Sequence, residues 1–166
     1  MSALGRIDKR MLLRDLTQLL EAELRSAMAA QQATMAGATH EESRPENDKD
    51  TRALESSYLA RGQARRVDEL GETLAVVGAM VPRGFGADDP VASMALVELE
   101  NENEQRDTLW LLPAAGGLEL RVAGRVIKTI TTHSPLGRAL LGGRSGDSVE
   151  LTVPGGTRDY VILSLA

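Results

Sequence analysis

Two long segments, almost free of helix breakers and separated by one short polar interruption, limit the possible folds of this chain more than any other feature. From Ile7 to Ala38 there is no proline and glycine occurs only at Gly37, and Leu, Ala, Glu, Gln and Arg, all good helix formers, dominate. Leu13, Leu16, Leu20, Leu24 and Ala27 recur at three- and four-residue steps, which places them on one helix face. Thr51 to Val81 repeats the device. Val67, Leu70, Leu74, Val77 and Val81 form a heptad seam that extends backward through Gln63, Ala60, Ser56 and Ala53. Both seams shrink toward the interruption at residues 40–50, where Pro45 disfavours helix at Arg44 and Asn47-Asp48 is turn chemistry. The pattern predicts an antiparallel coiled-coil hairpin over residues 1–81, with a broad apolar base and a thin polar tip. Thirty residues at 1.5 Å each reach roughly 45 Å, so the distal half is expected to project into solvent. A hairpin folded back on its own domain, or a coiled coil for dimerisation, is the plain alternative.

After a Pro- and Gly-rich linker at 82–90, the period changes from helical to two. Residues 95–100, 108–112, 118–123, 148–153 and 159–163 read as strands, with Asn101–Arg106 and Pro154-Gly-Gly156 as hairpin turns and 113–117 as a wider loop. One short helix is expected at Ser134–Leu141, with Ser134 as N-cap, Pro135 at the first helical position and Gly142 just past the end. Residues 91–166 are thus expected to form an antiparallel sheet with one helix, making the whole chain α+β.

Composition removes many functions. There is no cysteine, which excludes disulfides, thiol catalysis and Cys-type zinc sites, and His40 and His133 are too few for an all-His metal centre. The aromatics are Tyr58, Phe85, Trp110 and Tyr160, too few for a base-stacking platform or an aromatic-lined pocket. A net charge of −5 leaves no basic footprint for gripping nucleic acid directly. No apolar run reaches signal or membrane-spanning length, so a cytoplasmic protein without membrane contact is expected. G-x-S-x-G, P-loop and H-E-x-x-H patterns are all missing. Gly142-Gly-Arg-Ser-Gly146 lacks the P-loop lysine and follows a helix instead of preceding one.

Two features carry chemistry. Between residues 40 and 50, Glu41, Glu42, Glu46, Asp48 and Asp50 face only Arg44 and Lys49. Carboxylates crowded on a thin loop repel one another, but can share a divalent cation, magnesium above all, where a receiving site adds oxygen ligands. The bland account is a solubilising turn. The second feature is His133-Ser134-Pro135-Leu136, where a capped helix start beside a rigid proline forms a small preorganised docking surface. Ordinary capping and core packing of Leu136 is its alternative.

Ser134-Pro-Leu-Gly137, the Gly146-Asp147 turn, the strand after it, Pro154-Gly-Gly156 and the closing Tyr160-Val-Ile162 resemble the C-terminal signature of the bacterial Gre transcript-cleavage and elongation factors. The long hairpin preceding them extends the resemblance to nearly the whole chain. It implies an FKBP-like C-terminal domain that docks on the rim of the RNA polymerase secondary channel, against a coiled coil of the largest catalytic subunit. His133, Ser134, Pro135 and Leu136 become polymerase contacts by this resemblance. The hairpin would then pass down the channel toward the active site.

The resemblance further implies a monomeric accessory factor with no tightly bound cofactor, meeting RNA only indirectly and sharing the polymerase's Mg²⁺. At the tip the chain departs from the family. Cleavage-stimulating members carry Gly-Asp-x-x-Glu-Asn-Ala-Glu-Tyr, whose two acids help hold the second magnesium ion. Setting Tyr58 on the family tyrosine puts Thr51 and Leu54 at those two positions. One inserted residue recovers Asp50 for the first acid and leaves Ala53 at the second. Two readings follow: Asp50 with Glu46 or Asp48 assists cleavage of backtracked RNA, or the tip enters the channel and modulates or inhibits without cleaving. A prolyl isomerase is the remote alternative that the FKBP-like fold raises.

Overall fold

The two breaker-poor segments are helical in the computed structural model, which describes residues 3–41 and 49–166, with side chains described over 4–37 and 51–166. Helix α1 is Lys9–Glu41 and helix α2 is Lys49–Gly78. The expected turn at 42–48 lies outside the described residues. Helix α2 stops at Gly78 and not at Val81, because Pro82 drives the residue before it out of helical conformation. Val81 is accordingly 77% exposed.

Two compact units result, Met1–Leu16 with Ala79–Ala166, and Thr17–Gly78. In the helical unit, burial along α2 returns at Ser56, Ala60, Gln63, Val67, Leu70, Leu74 and Val77, the three–four alternation read from the sequence. The seam ends there, since Ala53 is exposed. Leu20, Leu70 and Val77 are fully buried, whereas Leu24, Ala27 and Thr34 on α1 and Ser56, Ala60 and Gln63 on α2 are only half-buried. The seam therefore thins toward the tip, as its shrinking side chains dictate. Arg66 of α2 reaches across to Glu23 of α1 at 2.8 Å, an exposed ion pair between the two helices. One expectation shifts at the start of α1, where Leu12 is buried and Leu13 only half-buried. Leu12 and Leu16 belong to the sheet unit, and the row of i, i+4 positions 12, 16 and 20 points inward.

The sheet unit has six strands, β1 (Leu96–Asn101), β2 (Arg106–Leu112), β3 (Glu119–Val122), β4 (Arg125–Thr131), β5 (Ser148–Val153) and β6 (Gly156–Leu165), with helix α3 (Pro135–Leu140) between β4 and β5. Their order is β3-β4-β2-β1-β6-β5. The α+β architecture is as expected, but the sheet is mixed and not wholly antiparallel, because β2 and β4 run parallel. The reason is β4 itself, which the alternation pattern does not reveal. Val126 and Ile130 stand on one face and Ile127 on the other, so Arg125–Thr131 lacks a polar-out period. Ala123 and Gly124, with φ of 50° and 78°, turn β3 into β4 as a two-residue hairpin in which both central residues have positive φ.

The main core lies on one face of this sheet. Val97, Leu99, Leu109, Leu111, Val149 and Ile162 pack there with Leu140 of α3, while Phe85, Leu136 and Tyr160 close its margin. Trp110, on the opposite face, is completely buried and its Nε1 donates to the Met94 carbonyl at 3.3 Å. The segment after α2 is tied into the same unit. Val91 N–H donates to Gly143 O at 2.7 Å and Gly142 N–H donates to Val91 O at 2.8 Å, which brings the chain entering β1 against the end of α3.

Candidate functional site

The site is built at the end of β4. Ser134 has extended backbone torsions, φ −66° and ψ 156°, and its Oγ accepts from Gly137 N–H at 3.0 Å, the N-cap bond expected from its sequence position. The same hydroxyl donates to the Thr131 carbonyl at 2.8 Å, so one side chain joins helix to strand. Pro135 occupies the start of α3, where its missing N–H costs nothing. Gly142 follows the C-cap Leu141 with φ 82°.

Sequence reading gave no role to Gly137, and the structure supplies one. A Cβ on this buried residue would lie 1.9 Å from the Thr131 carbonyl oxygen, a distance no side chain can occupy. The signal was present as a glycine inside a helical stretch, a position that needs a packing reason. Of the four expected docking residues, His133 and Pro135 are exposed, Ser134 is half-buried and structural, and Leu136 is half-buried against the core. Arg138 Nη1 donates to the His133 carbonyl at 2.7 Å, and His133 Nδ1 lies 3.2 Å from Thr132 Oγ1. The result is a rigid exposed corner of His133 and Pro135 with Arg138 beside it.

The tip acids are not brought together by anything described. Glu42, Glu46 and Asp48 lie outside the described residues, and Glu41 and Asp50 enter only as backbone, at the last residue of α1 and near the start of α2. Among the described residues no group of His, Asp and Glu is placed to hold a metal ion, and no helix is long and apolar enough to cross a membrane. Just beyond the tip, Leu54 and Tyr58, four residues apart on α2, are 56% and 67% exposed.

At the other end of the hairpin, in the sheet unit, the buried ammonium of Lys9 donates to the backbone oxygens of Arg83 at 2.7 Å and Ala166 at 2.6 Å. Phe85 stands between two cations, with Lys9 Nζ 4.7 Å and the Arg83 guanidinium 4.2 Å from its ring centre. Burial, and secondarily the charge of Arg83, pull the Lys9 pKa down to about 8. A shallow charged concavity includes Arg106, Arg125 and Lys128, but each of these cations is already paired, with Glu100 at 2.8 Å, Glu98 at 3.4 Å and Asp107 at 2.7 Å. Trp110, being wholly buried, lines no open pocket of the isomerase kind.

Two long helices and a mixed sheet that carries a rigid capped turn define a two-part protein of the α+β class. Residues 87–166 match the family described as "Transcription elongation factor, GreA/GreB, C-term". The transcription elongation factor GreA of Acidiphilium cryptum is 30% identical over 150 residues, covering 89% of this chain and 91% of that one. GreA of Rhodospirillum rubrum is 28% identical over 147 residues, 86% of this chain and 88% of that one. The chain belongs to the GreA/GreB family of transcription elongation factors. Among solved structures it is similar to the GreA factor homolog 1 (Gfh1) protein of Thermus thermophilus, at 22% identity and a TM-score of 0.38, covering 94% of this chain and 93% of that one.

Proposed function

We propose that this chain is a cytoplasmic, monomeric accessory factor of bacterial RNA polymerase that docks on the rim of the secondary channel and directs its hairpin tip toward the active site. The observation that carries this reading is the corner at His133 and Pro135, exposed yet fixed by the Ser134 cap and the Gly137–Thr131 contact, in a member of the GreA/GreB family. A surface that is already rigid loses little entropy on docking. The thinning seam of the hairpin suits entry into a narrow passage, and an acidic chain needs no basic patch where the polymerase grips the nucleic acid.

At the tip, Asp50 with Glu46 or Asp48 would help hold the polymerase's second Mg²⁺, the ion that supplies an activated water for hydrolysis of backtracked RNA. The chain itself is then no enzyme, since the reaction belongs to the polymerase. A second reading is favoured by Ala53 or Leu54 standing where cleavage-stimulating relatives carry an acid: the tip occupies the channel, does not cleave, and competes with factors that do.

A stalled, backtracked elongation complex separates the two. Transcript shortening that is lost in Asp50→Ala supports assistance, whereas no shortening together with suppression of a cleavage-competent Gre factor supports the inhibitor. Failure to co-purify with core polymerase overturns both.

A further inference from the structure

The sheet ends in two edge strands, β3 and β5, and they are built differently. β3 is four residues long and carries Glu119 and Arg121, a short charged strand of the kind that blunts an edge. β5 is six residues long and free of proline, and it alternates strictly. Val149 is buried in the core and Leu151 and Val153 are half-buried, while Ser148, Glu150 and Thr152 are exposed.

The backbone of β5 alternates in the same phase. Ile162 N–H donates to Asp147 O at 2.9 Å and Gly146 N–H donates to Ile162 O at 2.7 Å, so Ile162, and every second residue before it on β6, bonds toward β5. Those residues are Tyr160, Arg158 and Gly156, and their partners are Val149, Leu151 and Val153. The N–H and C=O groups of Ser148, Glu150 and Thr152 therefore point away from the sheet, and among the described residues nothing bonds to them.

Charge singles out the middle of this edge. β1 ends at Asn101, opposite Tyr160, so residues 156–159 pair with β5 alone. There Glu150 and Asp159 stand directly opposite each other, both exposed, in the closer, non-hydrogen-bonded kind of pair. Like charges so placed repel, and neither carboxylate has an ion-pair partner among the described residues. A cation laid along the edge would relieve both.

We propose that β5 is a docking edge for an extended segment of another protein, one in which a lysine or arginine alternates with apolar residues. Added as a further strand, such a segment bonds to the free backbone groups of Ser148, Glu150 and Thr152 and sets its cation beside Glu150 and Asp159. Its apolar residues continue the row of Val149 and Leu151 on the other face. A second copy of this chain is the poorer occupant, because β5 laid antiparallel on itself with its outward positions matched sets Glu150 against Glu150. The proposal uses neither the Ser134 turn nor the docking on polymerase.

The test titrates the full chain with a blocked peptide, Ser-Val-Lys-Val-Ser-Val, and with its counterpart carrying Glu in place of Lys, while amide hydrogen exchange is followed residue by residue. The lysine peptide is expected to bind saturably and about tenfold or more tighter than the glutamate peptide, with new protection of the Glu150 and Thr152 amides. Glu150→Lys reverses the preference between the peptides. Thr152→Pro removes an outward N–H that makes no bond within the sheet, so it abolishes binding with little change in melting temperature. Should that variant fail to fold, Glu150→Lys and the exchange pattern decide. The proposal is overturned by no saturable binding, by equal binding of the two peptides, by binding without protection at Glu150 and Thr152, or by a folded Thr152→Pro that binds undiminished. A concentration-dependent dimer that Thr152→Pro abolishes overturns it too, and gives the edge to a second copy.

Discussion

The turn after β4 and the distal seam of the hairpin are fixed by different means. At the turn, Ser134, Thr131 and Gly137 hold one another through hydrogen bonds of 2.8–3.1 Å and a contact with no room for a methyl group. Beyond Leu24, the hairpin relies on alanine, serine, threonine and glutamine at half-buried positions, which supply little apolar area to hold the helices together. A docking corner gains from rigidity because a partner must find it preformed. A rod that enters a confined space gains from thinness, and accepts weak packing as the consequence.

The largest effect that would test this contrast is Gly137→Ala. Its Cβ would collide with the Thr131 carbonyl, so the expected destabilisation is about 3 kcal/mol, read as a lowered urea midpoint with loss of polymerase binding. Tolerance of this substitution would show that the turn is adaptable after all. Leu20→Ala, in the buried part of the seam, is expected to cost about 2–3 kcal/mol by chemical denaturation followed at 222 nm, near the low end for buried leucines.

Gln63 gives the opposite sign. Its Oε1 is buried in the seam with no hydrogen-bond partner, so Gln63→Leu is expected to stabilise the hairpin by about 1 kcal/mol, visible as a raised midpoint in the same experiment. Destabilisation instead would mean that the distal seam is more closely fitted than its burial indicates.

A separate effect, confined to the sheet unit, concerns pH. Lys9 has a pKa of about 8 in the folded chain against 10.5 when unfolded, so between those values the unfolded state binds more protons. The contribution of this group to stability is complete above the unfolded value and is lost as pH falls through the folded one. Unfolding free energy should therefore rise with pH across that window, and Lys9→Met should flatten the slope.

Much of the hairpin was legible because helical packing is a local matter: a three–four repeat on α2 names the buried face whatever else the chain does. The Ser134 cap, the proline after it and the Gly142 terminator were legible for the same reason, each acting within one helical turn. The docking role of the turn came by resemblance and remains a proposal, as does any role of Asp50, Asp48 and Glu46. The parallel β2–β4 pair and the need for Gly137 were not legible, because each depends on a neighbour brought in from elsewhere in the sheet unit.

The sequence by itself determined two tapering helices, an acidic stretch between them and a capped corner in a strand-rich second half, since periodicity and capping are written into neighbouring residues. Only the tertiary structure decided that Arg125–Thr131 is a strand, that it lies parallel to β2, and that its last residue closes against both Gly116 and Gly137. Pairing between strands is a choice among distant partners, and apolar side chains on both faces of β4 leave no local mark of which partner is taken.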